Sequence, residues 1–141
     1  MTPIHVILGI GVLAFSLVGA LWGGYCWRYE KPSQWFWYVL RVQQAFVAVE
    51  AIAGTVLVLA GKDAGSNLHY LYGGLPLIVM LFCEAARAGA AQTELDQVDF
   101  HALPDDQQRV LAIAIVRRET GIMAVSCIVI FFLALRAATT G

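Results

Sequence analysis

The sequence has few charged residues and few prolines. Only 13% of its 141 residues are charged, about half the share found in soluble domains, and proline occurs four times. This shortage of charge excludes an ordinary soluble domain. Nine Lys and Arg against ten Asp and Glu leave no basic surface, so we expect no nucleic-acid partner.

Cysteine and catalytic motifs are also scarce. Cys26, Cys83 and Cys127 lie far apart, without a CxxC pair, so we expect neither a disulfide framework nor a metal-thiolate site. The chain has no GxGxxG, Walker A, HExxH or GxSxG motif and no recognised spacing of metal ligands. We therefore expect no catalytic residues and no metal site, and we predict a protein that is not an enzyme.

Apolar residues dominate the composition. They make up 60% of the chain, and the mean hydropathy is +0.71, which is typical of an integral membrane protein. Long apolar runs occur at about 4–26, 35–60, 67–88 and 110–137, and each is long enough for one helical crossing. The prediction is a single all-α domain over 1–141, an integral membrane four-helix up-down bundle.

The basic residues indicate an orientation. Seven of the nine Lys and Arg lie in or beside the first and third connections, and the other two flank the opposite side. The positive-inside rule then places both termini outside and those connections in the cytoplasm of a bacterial inner (cytoplasmic) membrane. Pro104, Asp105 and Asp106 predict that the fourth helix begins near 104, before its apolar part. Helices three and four should therefore extend into the cytoplasm.

Small residues on the first helix indicate a close helix contact. Gly19 and Gly23 form a GxxxG motif, and Ala20 and Gly24 repeat the spacing one residue later. Such a face either packs within the bundle or forms a homodimer. The motif alone leaves both alternatives open.

A layer of charged residues is expected at the cytoplasmic boundary. Counted at about 1.5 Å per residue from the outer helix ends, five residues fall at one depth: Arg41, Glu84, Arg117, Arg118 and Glu119. Mutual pairing would satisfy them, for example Glu84 with Arg118 and Glu119 with Arg41. The layer is either a structural clamp or a site for an anionic headgroup or a partner subunit.

Glu50 stands inside an apolar run and lies by the same count about 16 Å from the outer end, near the midplane. No basic residue shares that depth. Gln43 and Glu50 lie on one helical face, which should turn toward the bundle, where desolvation favours the neutral acid. Two hypotheses follow for this pair: a proton relay or coupling site, or a polar link between helices.

His5 and His69 begin the first and third helices, which run in the same direction. Two imidazoles at equal depth could bind one b-type haem, and Gly9 and Gly11 could leave room for the porphyrin. This layout resembles that of small four-helix membrane cytochromes b, without the second histidine pair of the two-haem forms. On the alternative interpretation, both are ordinary polar residues of the membrane interface.

Two functions follow from these patterns. The first is a non-catalytic accessory subunit of a membrane complex, with electron transfer and one b-type haem between His5 and His69 as further hypotheses. The alternative is a small homodimeric transporter in which Glu50 couples a proton to a cationic or lipophilic solute. The expected partners are membrane lipids and either other membrane subunits or a second copy of the chain.

Overall fold

The computed structural model describes residues 3–62, 64 and 66–140, and its regular structure there is helical throughout. The elements are α1 (Pro3–Arg28), α2 (Gln34–Leu59), α3 (Asn67–Asp96), a short 3-10 turn (Phe100–Ala102) and α4 (Asp105–Ala138). All four α-helices are long and apolar enough to cross a membrane. The prediction of an all-α chain with four helices that could each cross a membrane is confirmed, while the up-down order and the orientation stay predictions.

Local sequence signals explain where α3 and α4 begin. The Ser66 hydroxyl accepts a hydrogen bond from the Leu68 N–H at 3.2 Å and caps the start of α3. Pro104 directly precedes α4, and Asp105 and Asp106 lie in its first turn, as predicted. With 30 and 34 residues, α3 and α4 are about 45 and 51 Å long, more than the roughly 30 Å of hydrocarbon.

The ends of α1 and α2 share one type of turn. Gly61 has φ +73°, and the next N–H, of Lys62, donates to the Leu57 carbonyl at 3.0 Å. Glu30 takes the same left-handed conformation, with φ +55°, and the Lys31 N–H donates back to the last turn of α1. Both turns have the Schellman geometry, although only one has glycine at the left-handed position.

The helices do not contact one another equally. α4 packs extensively on both α1 and α3, α2 packs mainly on α1, and α2 and α3 barely touch. One apolar cluster takes a residue from each helix, in order Val12, Val47, Met80 and Ile130, and a second contains Phe36, Leu40, Met123 and Cys127. The pair α1 and α4 therefore forms the centre of the bundle.

The small residues of α1 pack inside the bundle. A Cβ added to Gly19 would lie 2.9 Å from Cys127 Sγ, and one added to Gly23 would lie 2.5 Å from Phe36 Cε2. A Cβ on Gly24 would meet nothing within 4 Å. Of the two alternatives for the GxxxG face, the structure supports packing within the bundle.

Large apolar side chains cover the outer faces. Ile4, Leu21, Ile52, Ile78 and Phe132 are all more than half exposed. A soluble monomer rarely exposes so much apolar surface, whereas lipid covers it without cost.

Candidate functional site

Three ionisable side chains from three helices meet at one end of the bundle, called here the histidine end: His5 of α1, Glu50 of α2 and His69 of α3. His5 Nδ1 lies 3.1 Å from Glu50 Oε1. The rings of His5 and His69 are 5.9 Å apart between centroids, at an interplanar angle of 63°. The sequence therefore predicted correctly that the two histidines lie close together.

The Glu50 carboxyl is incompletely paired. Its side chain is 20% exposed and that of His5 is 12% exposed. The contact between them has the distance of an ion pair but not the geometry of a hydrogen bond, and Glu50 Oε2 is buried without a hydrogen-bond partner among the described residues. A carboxyl in this state is costly in an apolar environment, because few donors compensate its lost hydration.

His69 has a different partner. Its Nδ1 lies 3.0 Å from the carbonyl oxygen of Ala137, near the end of α4. Because a carbonyl only accepts hydrogen bonds, this contact requires the proton on Nδ1. In the neutral ring Nε2 is then an acceptor. The bond also ties the start of α3 to the end of α4.

The expectation that Glu50 lies at a depth without a basic residue was wrong, because His5 is in direct contact with it. The depth count assumed that the outer ends of all four helices lie at the same height. Glu50 lies nine residues before the end of α2, whereas His5 lies two residues after the start of α1. The offset of seven residues corresponds to about 10 Å, so α2 extends past α1 at this end.

Gln43 is separate from this group. It is fully buried, and its Nε2 donates to Ser16 Oγ at 3.2 Å, linking α2 to α1. Its Oε1 has no partner among the described residues. Val47 lies between Gln43 and Glu50 on α2 and belongs to the apolar cluster, so the structure does not bring the two predicted coupling residues into contact.

The packing around His5 bears on the haem prediction. A Cβ on Gly11 would lie 2.3 Å from the Phe46 ring, and one on Gly9 would lie 3.4 Å from Glu50 Oε1. The Phe46 ring is itself stacked on Phe15, with 5.2 Å between centroids. The space beside Gly9 and Gly11, which was expected to leave room for the porphyrin, is therefore occupied by the Glu50 carboxyl and the Phe46 ring. The haem stays a prediction, to be decided by a spectrum.

The opposite end, called here the arginine end, holds a network of charged side chains. Glu84 Oε1 accepts from Arg41 and Gln44, each at 2.7 Å. Its Oε2 accepts from Arg87 at 2.7 and 3.0 Å. A third bond of Arg87, at 3.2 Å, reaches Glu119 on α4. The network joins α2, α3 and α4, and both oxygens of Glu84 are fully used.

Arg87 is the residue of this network that the sequence did not identify. Its guanidinium also lies over the Trp37 ring, 5.5 Å from the centroid. The available signal was its position three residues after Glu84, a spacing that brings side chains together on a helix. Arg41, Glu84 and Glu119 were identified, and the structure brings them together through Arg87.

Two of the predicted members lie elsewhere. Arg117 pairs with Glu30 at 2.9 Å, and Arg118 pairs with Glu94. The suggested pairings of Glu84 with Arg118 and of Glu119 with Arg41 were wrong. Successive residues of a helix point about 100° apart, so three neighbours of α4 cannot all face the same group.

The two ends thus differ in how well their polar groups are paired. Within the described residues, neither end brings three His, Cys, Asp or Glu side chains together in a way that could hold a metal ion. Comparison of the chain with protein-family models, with curated proteins and with solved structures found no match.

Proposed function

We propose that this protein is a small proton-coupled membrane transporter in which Glu50 exchanges a proton for a cationic, lipophilic solute. One observation carries the proposal: the Glu50 carboxyl lies among apolar helices with one oxygen against His5 and the other without a partner. An ionisable group so placed within a membrane is expensive, and its usual reason is a role in binding or proton transfer.

The chemistry follows from the charge of the carboxyl. Protonated Glu50 is neutral and is tolerated in an apolar environment, whereas ionised Glu50 requires a positive charge nearby. A cationic solute supplies that charge, so solute and proton compete for one group. His5 Nδ1, at 3.1 Å, is close enough to exchange a proton with Glu50 Oε1.

The proposal includes a membrane orientation. The distribution of Lys and Arg supports an up-down topology with both termini outside and the extended ends of α3 and α4 in the cytoplasm of a bacterial inner membrane. The histidine end then faces outward, toward the side from which protons enter an energised cell. An incoming proton would then reach Glu50 by way of His5, which is in contact with it.

We propose that the working unit is a homodimer. α2 carries Glu50, and it barely touches α3, so both helices keep faces that a second copy could contact. Each copy would contribute one Glu50 to a path between the bundles. A dimer also supplies more helices to line that path than one four-helix bundle can offer.

Flux into proteoliposomes tests the proposal. The purified chain is reconstituted with an acidic interior, and uptake of tetraphenylphosphonium and ethidium is followed. We expect uptake that depends on the proton gradient and disappears in Glu50→Gln, which removes the titratable group and keeps the shape. Glu94→Gln is the matched control, because Glu94 lies outside the site and pairs with Arg118.

Proton release provides an independent measurement. In weakly buffered detergent solution, adding tetraphenylphosphonium should release protons from the wild-type protein and none from Glu50→Gln. Flux that is unchanged in Glu50→Gln would exclude Glu50 as the coupling group. Absence of both flux and proton release in the wild type, for either cation, would refute the carrier function.

A second candidate is an accessory subunit of a membrane complex. Its support is open space along α3, where a Cβ on Gly73, Gly74 or Gly89 would meet nothing within 4 Å. Small residues of this kind allow another helix to approach closely. Chemical cross-linking in native membranes followed by purification should then recover defined partners. Recovery of the chain alone, as a single monodisperse species, would count against this role.

A further inference from the structure

A lipid-facing pocket lies at the arginine end, where the chain leaves α1 and turns toward α2. Its volume is about 450 Å³. The lining residues are Leu21, Trp22, Tyr25, Cys26, Lys31, Pro32 and Ser33. None of them belongs to the histidine end or to the charged network, so the pocket is separate from both.

The turn after α1 shapes this pocket. Glu30 adopts a left-handed conformation with φ +55°, and the chain reverses so that the Lys31 N–H donates to the Cys26 carbonyl at 3.0 Å. Pro32 follows, and Trp22 Nε1 donates to Ser33 Oγ at 3.2 Å. These contacts fold residues 31–33 back over the last turns of α1 and hold them there.

Positive charge at the rim of the pocket is not neutralised by the protein. Lys31 Nζ lies 3.4 Å from the Tyr25 hydroxyl and 5.7 Å from the centroid of that ring. Arg28, which does not line the pocket, lies nearby in the sequence and over the Tyr29 ring at 5.8 Å. Within the described part of the chain neither cation pairs with a carboxylate, whereas the neighbouring Glu30 pairs with Arg117.

The wall of the pocket is apolar and opens toward lipid. Leu21 is 68% exposed and Trp22 is 47% exposed. Further along α1, Leu17 and Ile10 continue the exposed apolar surface away from Lys31. This surface is long enough for an acyl chain, and an indole beside it is typical of the headgroup level of a bilayer.

Ser33 adds a directed donor to the site. Its oxygen accepts the hydrogen bond from Trp22, and its own hydroxyl hydrogen can turn either to the Cys26 thiol in the pocket wall or to an acceptor in the pocket. A phosphate diester offers such acceptor oxygens together with a negative charge. A cation, a hydroxyl donor and an apolar groove therefore match the three parts of an anionic phospholipid near its glycerol.

We propose that this pocket binds one anionic phospholipid, with its phosphate at Lys31 and Ser33 and one acyl chain along Leu21 and Trp22. The anionic class follows from the unpaired cations, since a zwitterionic headgroup brings its own positive charge to the rim. The inference does not depend on the transport function proposed for Glu50.

Native mass spectrometry of the full chain tests the proposal. The protein is titrated with phosphatidylglycerol or with phosphatidylcholine of the same acyl chains. We expect one phosphatidylglycerol to bind each chain, more tightly than phosphatidylcholine. Lys31→Gln should weaken phosphatidylglycerol binding about fivefold, the effect of removing one basic residue near anionic lipid, and should leave phosphatidylcholine binding unchanged.

Lys62→Gln is the matched control, because Lys62 is an exposed lysine in the α2–α3 connection, at the opposite end of α2. It should not change phosphatidylglycerol binding. Ser33→Ala provides a second variant with a smaller perturbation, and circular dichroism establishes that each variant is folded. Equal affinity for the two lipids, or equal effects of Lys31→Gln and Lys62→Gln, would overturn the proposal.

Inorganic phosphate distinguishes a lipid site from an anion site. Millimolar phosphate should not displace phosphatidylglycerol, because it cannot use the apolar wall. Leu21→Asn should weaken binding of both lipids, since it makes that wall polar. Displacement by phosphate alone, with no effect of Leu21→Asn, would show that the pocket binds a free anion and not a phospholipid.

Discussion

Substituting Gly23 with alanine should weaken the packing of α1 against α2 and α4, whereas the same change at Gly24 should not. A Cβ on Gly23 would lie 2.5 Å from Phe36 Cε2 and 3.0 Å from Ala124 Cβ. Carbon atoms in contact are normally about 3.5–4.0 Å apart. The Phe36 ring would have to move by about 1 Å, and the methyl group of Ala124 by more than half that distance.

Neither neighbour can move easily. Phe36 is fully buried, and its ring packs on Trp37 with 5.3 Å between centroids. The Ala124 methyl is attached directly to the α4 backbone, so no rotamer change removes it. Overpacking of this kind costs about 1–3 kcal/mol. Gly24→Ala meets no atom within 4 Å, so it should be neutral or stabilise the helix by up to about 1 kcal/mol.

Titration with sodium dodecyl sulfate in mixed micelles, followed by circular dichroism, measures the free energy of unfolding for both variants. The expected difference between Gly23→Ala and Gly24→Ala is about 1–4 kcal/mol. Adding Phe36→Leu to Gly23→Ala should recover part of the loss, because the ring atoms that clash are removed, while the Ala124 contact remains.

Equal stability of the two glycine variants would refute this account of how α1 packs in the bundle. Equal stability together with a lower dimer fraction would support the homodimer alternative for the GxxxG face. In that case Gly23→Ala would leave the unfolding free energy unchanged and would lower the dimer fraction in cross-linking experiments.

Two further predictions concern the two ends of the bundle. Arg87→Leu should destabilise the chain by about 1–3 kcal/mol, because it leaves Glu119 and one oxygen of Glu84 without their donor. Arg118→Leu, which breaks an exposed pair, should cost less than about 1 kcal/mol. The same detergent titration compares the two variants, and equal costs would contradict the network. The second prediction concerns the haem hypothesis. If a haem binds, the purified protein should show a Soret band that His69→Ala abolishes. A colourless, iron-free sample from native membranes would exclude the haem.

The helices themselves were predictable from the sequence. Apolar runs of the required length, the Pro104–Asp105–Asp106 start of α4 and the polar connections fixed the number of helices and their approximate ends. The proximity of His5 and His69 followed from the same information. Each residue begins a helix that starts at the same end of the bundle, so no detail of packing was needed.

The register between helices was not predictable in this way. Glu50 contacts His5 because α2 extends past α1, and that offset depends on side-chain packing. The side-chain packing shows how closely α1 approaches its neighbours: Gly19 lies against Cys127, and Gly23 lies against Phe36. A count of residues from each helix end contains no such information, so it separated two residues that are in contact.

The pairing of charges was not predictable for a related reason. Depth places residues in one layer, but the direction of each side chain around its helix decides which of them meet. Arg118 lies in the predicted layer, but its side chain points toward Glu94. Arg87 was grouped with the basic residues beside the third connection, but its side chain points into the bundle and pairs with Glu119. Direction becomes known only when the helix rotations are known.

The contrast between the two ends favours a carrier over an open proton channel. Glu84, fully bonded at the arginine end, is stabilised as an anion and has little reason to change its charge. Glu50 has few donors, so its charge can follow the arrival of a proton or a cation. The four-residue apolar cluster described above lies along each helix between these two ends. A proton cannot cross such a layer by hydrogen bonds alone, so coupling the two sides of the membrane requires the helices to move, which is what a carrier does and a fixed channel does not.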